Sequence, residues 1–131
     1  MSVERDVQTF VGSLILSTGV MKLVVPRLRA AWGAQLDQAG LPHREITYQA
    51  FPVVEIGVGA MLITGRFPRA GALSVISMMA GATYVHLVVD DPDVFPLQPK
   101  QPVIPLGVIG LALYVLGKPR RSSGGERPMG D

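Results

Sequence analysis

Residues 47–65 read TYQAFPVVEIGVGAMLITG, an apolar stretch with one charge, Glu55, near its middle. Its length suits a helix crossing a hydrocarbon core of about 30 Å. A carboxylate at that depth costs roughly 2.5–3.5 kcal/mol on insertion scales, so it is kept for a reason. Working outward, three more apolar stretches appear, at residues 7–25, 70–89 and 101–117. The first holds Lys22, the natural partner for Glu55.

Four such stretches predict an all-α fold, an integral membrane four-helix bundle. The fourth is the shortest and carries Pro102 and Pro105, which a first helical turn tolerates because its N–H groups have no intrahelical acceptor. A water-soluble bundle would need polar faces at helical spacing, and residues 7–25 and 70–89 lack them. Composition agrees. Of 131 residues 48% are hydrophobic and 17% charged, where soluble domains carry about 25% charged residues. Mean hydropathy is +0.35. The expected organisation is a membrane domain at residues 1–117 and a flexible basic cytoplasmic tail at 118–131. Residues 1–6 include Glu4, Arg5 and Asp6 rather than a clean basic region, so the first apolar stretch reads as a retained anchor.

Basic residues set the expected orientation. One side collects Arg5, Arg66, Arg69, Lys118, Arg120, Arg121 and Arg127, seven in all; the other has Arg27, Arg29, Arg44 and Lys100, four. The positive-inside bias then places both termini in the cytoplasm. Small residues recur at spacings that allow close helix contact: Ser13/Ser17, Gly57 with Gly59 and Ala60, Ala70/Ser74, Ser77/Gly81, and Gly107 with Gly110. Basic residues cluster at loops and in the tail instead of forming a long face, which argues against nucleic-acid binding.

Two connections carry patterns of their own. In residues 27–39, Leu28, Ala31, Trp32, Gln35, Leu36 and Ala39 share one helical face, which predicts a short amphipathic interfacial helix between spans one and two. Gly40 ends it and Pro42 prevents its resumption. Residues 90–100 hold Asp90, Asp91 and Asp93 among prolines, without EF-hand spacing or a loop glycine, and read as a docking surface or a solvated turn.

The predicted orientation puts Lys22, Glu55 and His86 in the outer half of the membrane, with Tyr48 and Tyr84 at a similar level. Converging polar groups from three helices can form a pocket that binds the carbonyl or hydroxyl groups of a quinone, or relays protons. They can equally form an ion pair that fixes helix register, with His86 hydrogen-bonded at the interface. No cysteine is present, which removes disulfides, thiolate metal sites and iron–sulfur clusters, and two histidines are too few for a metal cage. Haem is disfavoured because His43 lies in a loop beside Pro42. No nucleophile–base arrangement, phosphate-cradling glycine loop or internal repeat stands out, which speaks against a self-contained enzyme and against many transporter designs.

The sequence Gly19-Val-Met-Lys22-Leu23, the Gly40-Leu-Pro42 before span two, and the run from Phe51-Pro-Val-Val-Glu55 to Ile-Gly57-Val-Gly59 resemble the DoxX-like family of small bacterial membrane proteins. The likeness extends over about residues 10–117. It implies a four-helix bundle in which Lys22 and Glu55 are the family-like polar positions. The family takes its name from the small subunit of a thiosulfate:quinone oxidoreductase, and some members accompany redox or thiol-stress complexes. Small size, the lack of catalytic groups, the small-residue helix faces and the acidic outer loop point to a non-catalytic accessory subunit of a larger membrane complex, with other membrane subunits as partners. The resemblance implies that this complex is respiratory or redox and that the chain lies in a bacterial inner membrane. A quinone-binding oxidoreductase component is the alternative.

Overall fold

Prolines and glycines punctuate the described residues into five α-helices. The computed structural model describes residues 2–96 and 98–117, and these contain no strand. Helix α1 (Val3–Val24) opens on Ser2, whose hydroxyl accepts the Arg5 N–H at 3.1 Å, with Glu4 and Asp6 at the positive end of the helix dipole. It stops because Val25 precedes a proline and is pushed out of the helical region, to φ −96° and ψ 111°. Pro26 then starts α2 (Pro26–Ala39) at a position where no N–H is needed. Gly40, left-handed at φ 68°, closes α2 by donating its N–H to the carbonyls of Leu36 and Asp37. Helix α3 (Arg44–Thr64) ends the same way at Gly65, and α4 (Pro68–Val88) begins three residues later, so the two run antiparallel. A 3₁₀ turn, Pro92–Val94, precedes α5 (Val103–Gly117).

Helices α1, α3 and α4 have 22, 21 and 21 residues and are apolar enough to cross a membrane. They fall on the first three expected stretches. At 15 residues α5 is a shorter apolar helix, about 22 Å long at 1.5 Å per residue. Phe10, Val53, Leu73, Leu87 and Leu106 all stand more than half exposed on the outside of the bundle. Large apolar side chains in every outward direction suit lipid, not water. This is a membrane protein. The segment at residues 27–39 is α2, with Trp32, Gly33 and Leu36 turned inward and Arg27, Arg29 and Asp37 outward. The basic tail expected at residues 118–131 lies outside the described residues.

Helix α1 packs along α3, and α4 along α5. The α1–α3 contact is built on glycines: a Cβ on Gly12 would lie 2.9 Å from the Gly59 carbonyl oxygen, and one on Gly59 2.6 Å from the Gly12 oxygen. Gly19 meets the Pro52 carbonyl in the same manner, at 2.6 Å. Of the small residues the spacing analysis singled out, Gly59 belongs to this contact; Ser13, Ser17, Ser77, Gly81, Gly107 and Gly110 are exposed. Spacing fixes which residues share a face but not whether that face looks inward. Around the glycine seam Val11, Ile15, Val58, Leu62, Val75, Met79, Val108 and Ala112 form the main core. A second cluster, Val85, Val89, Val94 and Phe95, ties the end of α4 to the following loop.

Candidate functional site

Between the two helix pairs, under α2, lies a cavity of about 280 Å³. Its walls are mostly apolar, with Leu14, Ile15, Met79, Val85, Ile104 and Val108 among them. Its charged groups and its histidine come from α1, α3 and α4, and Gln35 of α2 and Gln98 of the loop before α5 add amides. Thr18 and Lys22, one turn apart on α1, face Glu55 of α3. Lys22 Nζ donates to both Glu55 oxygens, at 2.9 Å to Oε1 and 3.1 Å to Oε2. The Thr18 hydroxyl lies 3.1 Å from Oε2 and 2.9 Å from the Ile15 carbonyl, with one proton to share between them. Glu55 is 1% exposed and the Lys22 side chain 20%, so the pair sits at the cavity wall with the carboxylate behind the ammonium. Two rings complete the ammonium's surroundings: the centroids of Trp32 and Phe51 lie 5.0 and 5.4 Å from Nζ, a cation–π arrangement.

Trp32 reaches this position through a defect in α3. Pro52 lacks the N–H that a regular helix would direct at the Tyr48 carbonyl. That carbonyl accepts the Trp32 indole N–H instead, at 3.0 Å. Gln35 Nε2 donates to the Val94 carbonyl at 2.7 Å, and Arg44 binds Asp37 at 2.8 Å, so α2 is fastened over the cavity at three points. Trp32→Phe keeps a ring over Lys22 but leaves the Tyr48 carbonyl without that donor. An expected loss of about 1–2 kcal/mol follows, with faster hydrogen exchange in α2 than in α1. Thermal unfolding and exchange mass spectrometry in one detergent would check both; unchanged α2 exchange would count against this fastening.

On the α4 side, His86 is buried and its ring stacks on Phe95, centroids 4.2 Å apart. His86 Nδ1 is 2.8 Å from the Lys100 carbonyl oxygen, and Lys100 Nζ returns a bond to the His86 carbonyl at 3.0 Å. The reciprocal pair holds the loop before α5 against the end of α4, where a helix has orphan carbonyls.

Of the five site residues read from sequence, Lys22, Glu55 and His86 line one cavity. Tyr48 lies outside the lining; its carbonyl serves Trp32, and the Arg44 guanidinium lies 4.7 Å from its ring centroid. Tyr84 is half exposed on the outer surface. Two positions from His86, it is turned well over a right angle around α4 and cannot share that face. Thr18, Phe51, Gln35 and Gln98 line the cavity and were not among the sequence candidates. The signal for the first two was present, since each stands four residues before Lys22 or Glu55. Among the described residues no group of three His, Asp or Glu side chains is placed to hold a metal ion.

Fold and site together define a small all-helical membrane protein whose apolar bundle carries a buried ion pair at the edge of a cavity. The chain belongs to the DoxX family: that family's model matches residues 9–87, more than half of the chain. The match covers Lys22, Glu55 and His86 and stops short of α5. No curated protein and no solved structure matches the chain.

Proposed function

We propose that this chain is a ligand-binding subunit of a redox membrane complex, holding the ring of a quinone-type lipophilic molecule in the cavity under α2. The observation that carries this reading is the placement of Lys22, Glu55 and His86 on the walls of one mostly apolar cavity. A pocket of apolar walls with a few convergent polar groups is the usual form of a small-molecule site. Gly81 and Ile104 line the cavity and are also exposed, which gives a lipophilic tail a way out between α4 and α5 toward the bilayer. In this reading α5 completes a fourth span, α2 lies at the membrane surface, both termini are cytoplasmic, and the cavity belongs to the outer leaflet of a bacterial inner membrane.

A second reading makes the chain an accessory subunit without a ligand, and one observation favours it. Both Glu55 oxygens already accept from Lys22, so the pair is satisfied within the protein and can act as a packing lock. Extraction of the full chain from native membranes in mild detergent, with mass spectrometry of bound molecules and proteins, separates the two. Quinone at near-equal molar ratio, lost in a folded Glu55→Ala or His86→Ala variant, is the expected result. Stoichiometric redox subunits without any bound lipophile would move the conclusion to the accessory reading.

A further inference from the structure

The polar atoms of the cavity differ in how far they are already engaged. Lys22 is held by Glu55 and enclosed by two rings, and the Gln35 amide N–H₂ is turned to the Val94 carbonyl. Lys100 spends its ammonium on the His86 backbone carbonyl and not on the ring. The His86 ring is different. A carbonyl can only accept, so the 2.8 Å contact with the Lys100 oxygen requires the proton on Nδ1. In the neutral imidazole Nε2 is then a bare acceptor. Nε2 has no partner among the described residues. It is not sealed in either, because no fully buried side-chain polar atom among those residues lacks a partner. His86 is 4% exposed and lines the cavity. The Phe95 stack and the Lys100 carbonyl hold the ring in this orientation.

We propose that His86 Nε2 is the atom that reads the ligand: it accepts a hydrogen bond from a hydroxyl on a lipophilic ring, so the site selects the hydroxyl-bearing head of a quinone-type molecule over the carbonyl-bearing one. The inference rests on the ligand reading given above and adds a direction to it. A carbonyl head meets no free cationic donor, since drawing on Lys22 means competing with the Glu55 carboxyl group 2.9 Å from its Nζ. Thr47 and Gln98, also in the lining, carry both donor and acceptor groups and serve either form alike. Nε2 discriminates as an acceptor without a partner among the described residues, because an acceptor-only atom facing a carbonyl leaves two acceptors unpaired. At about 280 Å³ the cavity lies just below the range of drug-sized pockets and suits a single ring, its tail left in lipid.

Trp32 is the only tryptophan in the chain and lines the cavity, which supplies a built-in reporter. The test titrates the full-length protein in detergent micelles with 4-octylphenol and with 4-octylanisole, two probes of nearly equal size that differ in one hydroxyl proton. In the wild-type protein the phenol is expected to bind about tenfold more tightly, the value of one neutral hydrogen bond. His86→Phe should bind both probes with a ratio near one, and His86→Gln, whose amide oxygen can replace Nε2, should recover part of the preference. Equal affinity of the two probes in the wild type would overturn the inference while leaving the ligand reading intact. A preference that survives in His86→Phe would do the same. Failure of both probes to change Trp32 emission would remove the ligand reading and this inference together.

Discussion

Lys22→Leu is expected to destabilise the protein by about 3–5 kcal/mol, the cost of leaving a buried carboxylate without its cation. Glu55 is 1% exposed and has Lys22 as its only ion-pair partner among the described residues. The Thr18 hydroxyl cannot replace it, having one proton and a competing carbonyl at 2.9 Å. The pair variant Lys22→Met with Glu55→Leu should regain most of the loss, because a buried ion pair replaced whole by apolar groups of similar volume is often neutral. Glu55→Gln should fall between, keeping the shape and the Thr18 contact while leaving Lys22, 20% exposed, able to extend toward water. Thermal unfolding of the four proteins in one detergent would give the order. A Lys22→Leu protein as stable as the pair variant would show that the two charges do not depend on each other.

Gly59→Leu should be nearly as damaging, at about 3 kcal/mol, the upper end of overpacking costs. A Cβ at that position would stand 2.6 Å from the Gly12 carbonyl oxygen, 2.7 Å from the Leu16 Cβ and 2.8 Å from the Leu16 nitrogen. Two of those three atoms are backbone, so relief requires α1 and α3 to separate. Separation is costly in lipid, where close packing rather than hydrophobic drive holds helices together. Because Lys22 and Glu55 sit on these same two helices, the ion pair should lengthen with the seam. Gly57→Ala is the control: a Cβ there meets nothing within 4 Å, and the change should stay within about 0.5 kcal/mol. Equal unfolding temperatures for Gly59→Leu and Gly57→Ala would show that the seam is not tight.

The apolar stretches were legible in the sequence because a helix in lipid announces itself by composition and length, and α1, α3 and α4 lie where those stretches run. The end of α2 at Gly40 was legible too, and Pro26 and Gly65 break the chain by the same kind of local backbone sterics. Helix rotation was not legible. When both the lipid and the core are apolar, hydrophobicity no longer marks the inner face, so the seam of Gly12, Gly19 and Gly59 could not be told from the outward Ser13 and Ser17. The site followed the same divide. Lys22, Glu55 and His86 stood out as expensive residues in apolar surroundings, and the structure brings all three to one cavity. Tyr84 was chosen by its level along the helix alone, and its rotation around α4 carries it outside. Trp32 showed itself as an anchor, while its carbonyl partner depended on Pro52, twenty positions away.

Pro52 and Trp32 carry a consequence for how this chain can change. A helix repaired by alanine at position 52 regains an N–H for the Tyr48 carbonyl, and the indole then shares an acceptor that it now has without a helical rival. The two positions should therefore drift together: relatives that lose the proline can lose the indole N–H without stranding the carbonyl at position 48, and those that keep the proline should keep a side-chain donor above it. A flaw in one helix has become the address at which another one docks.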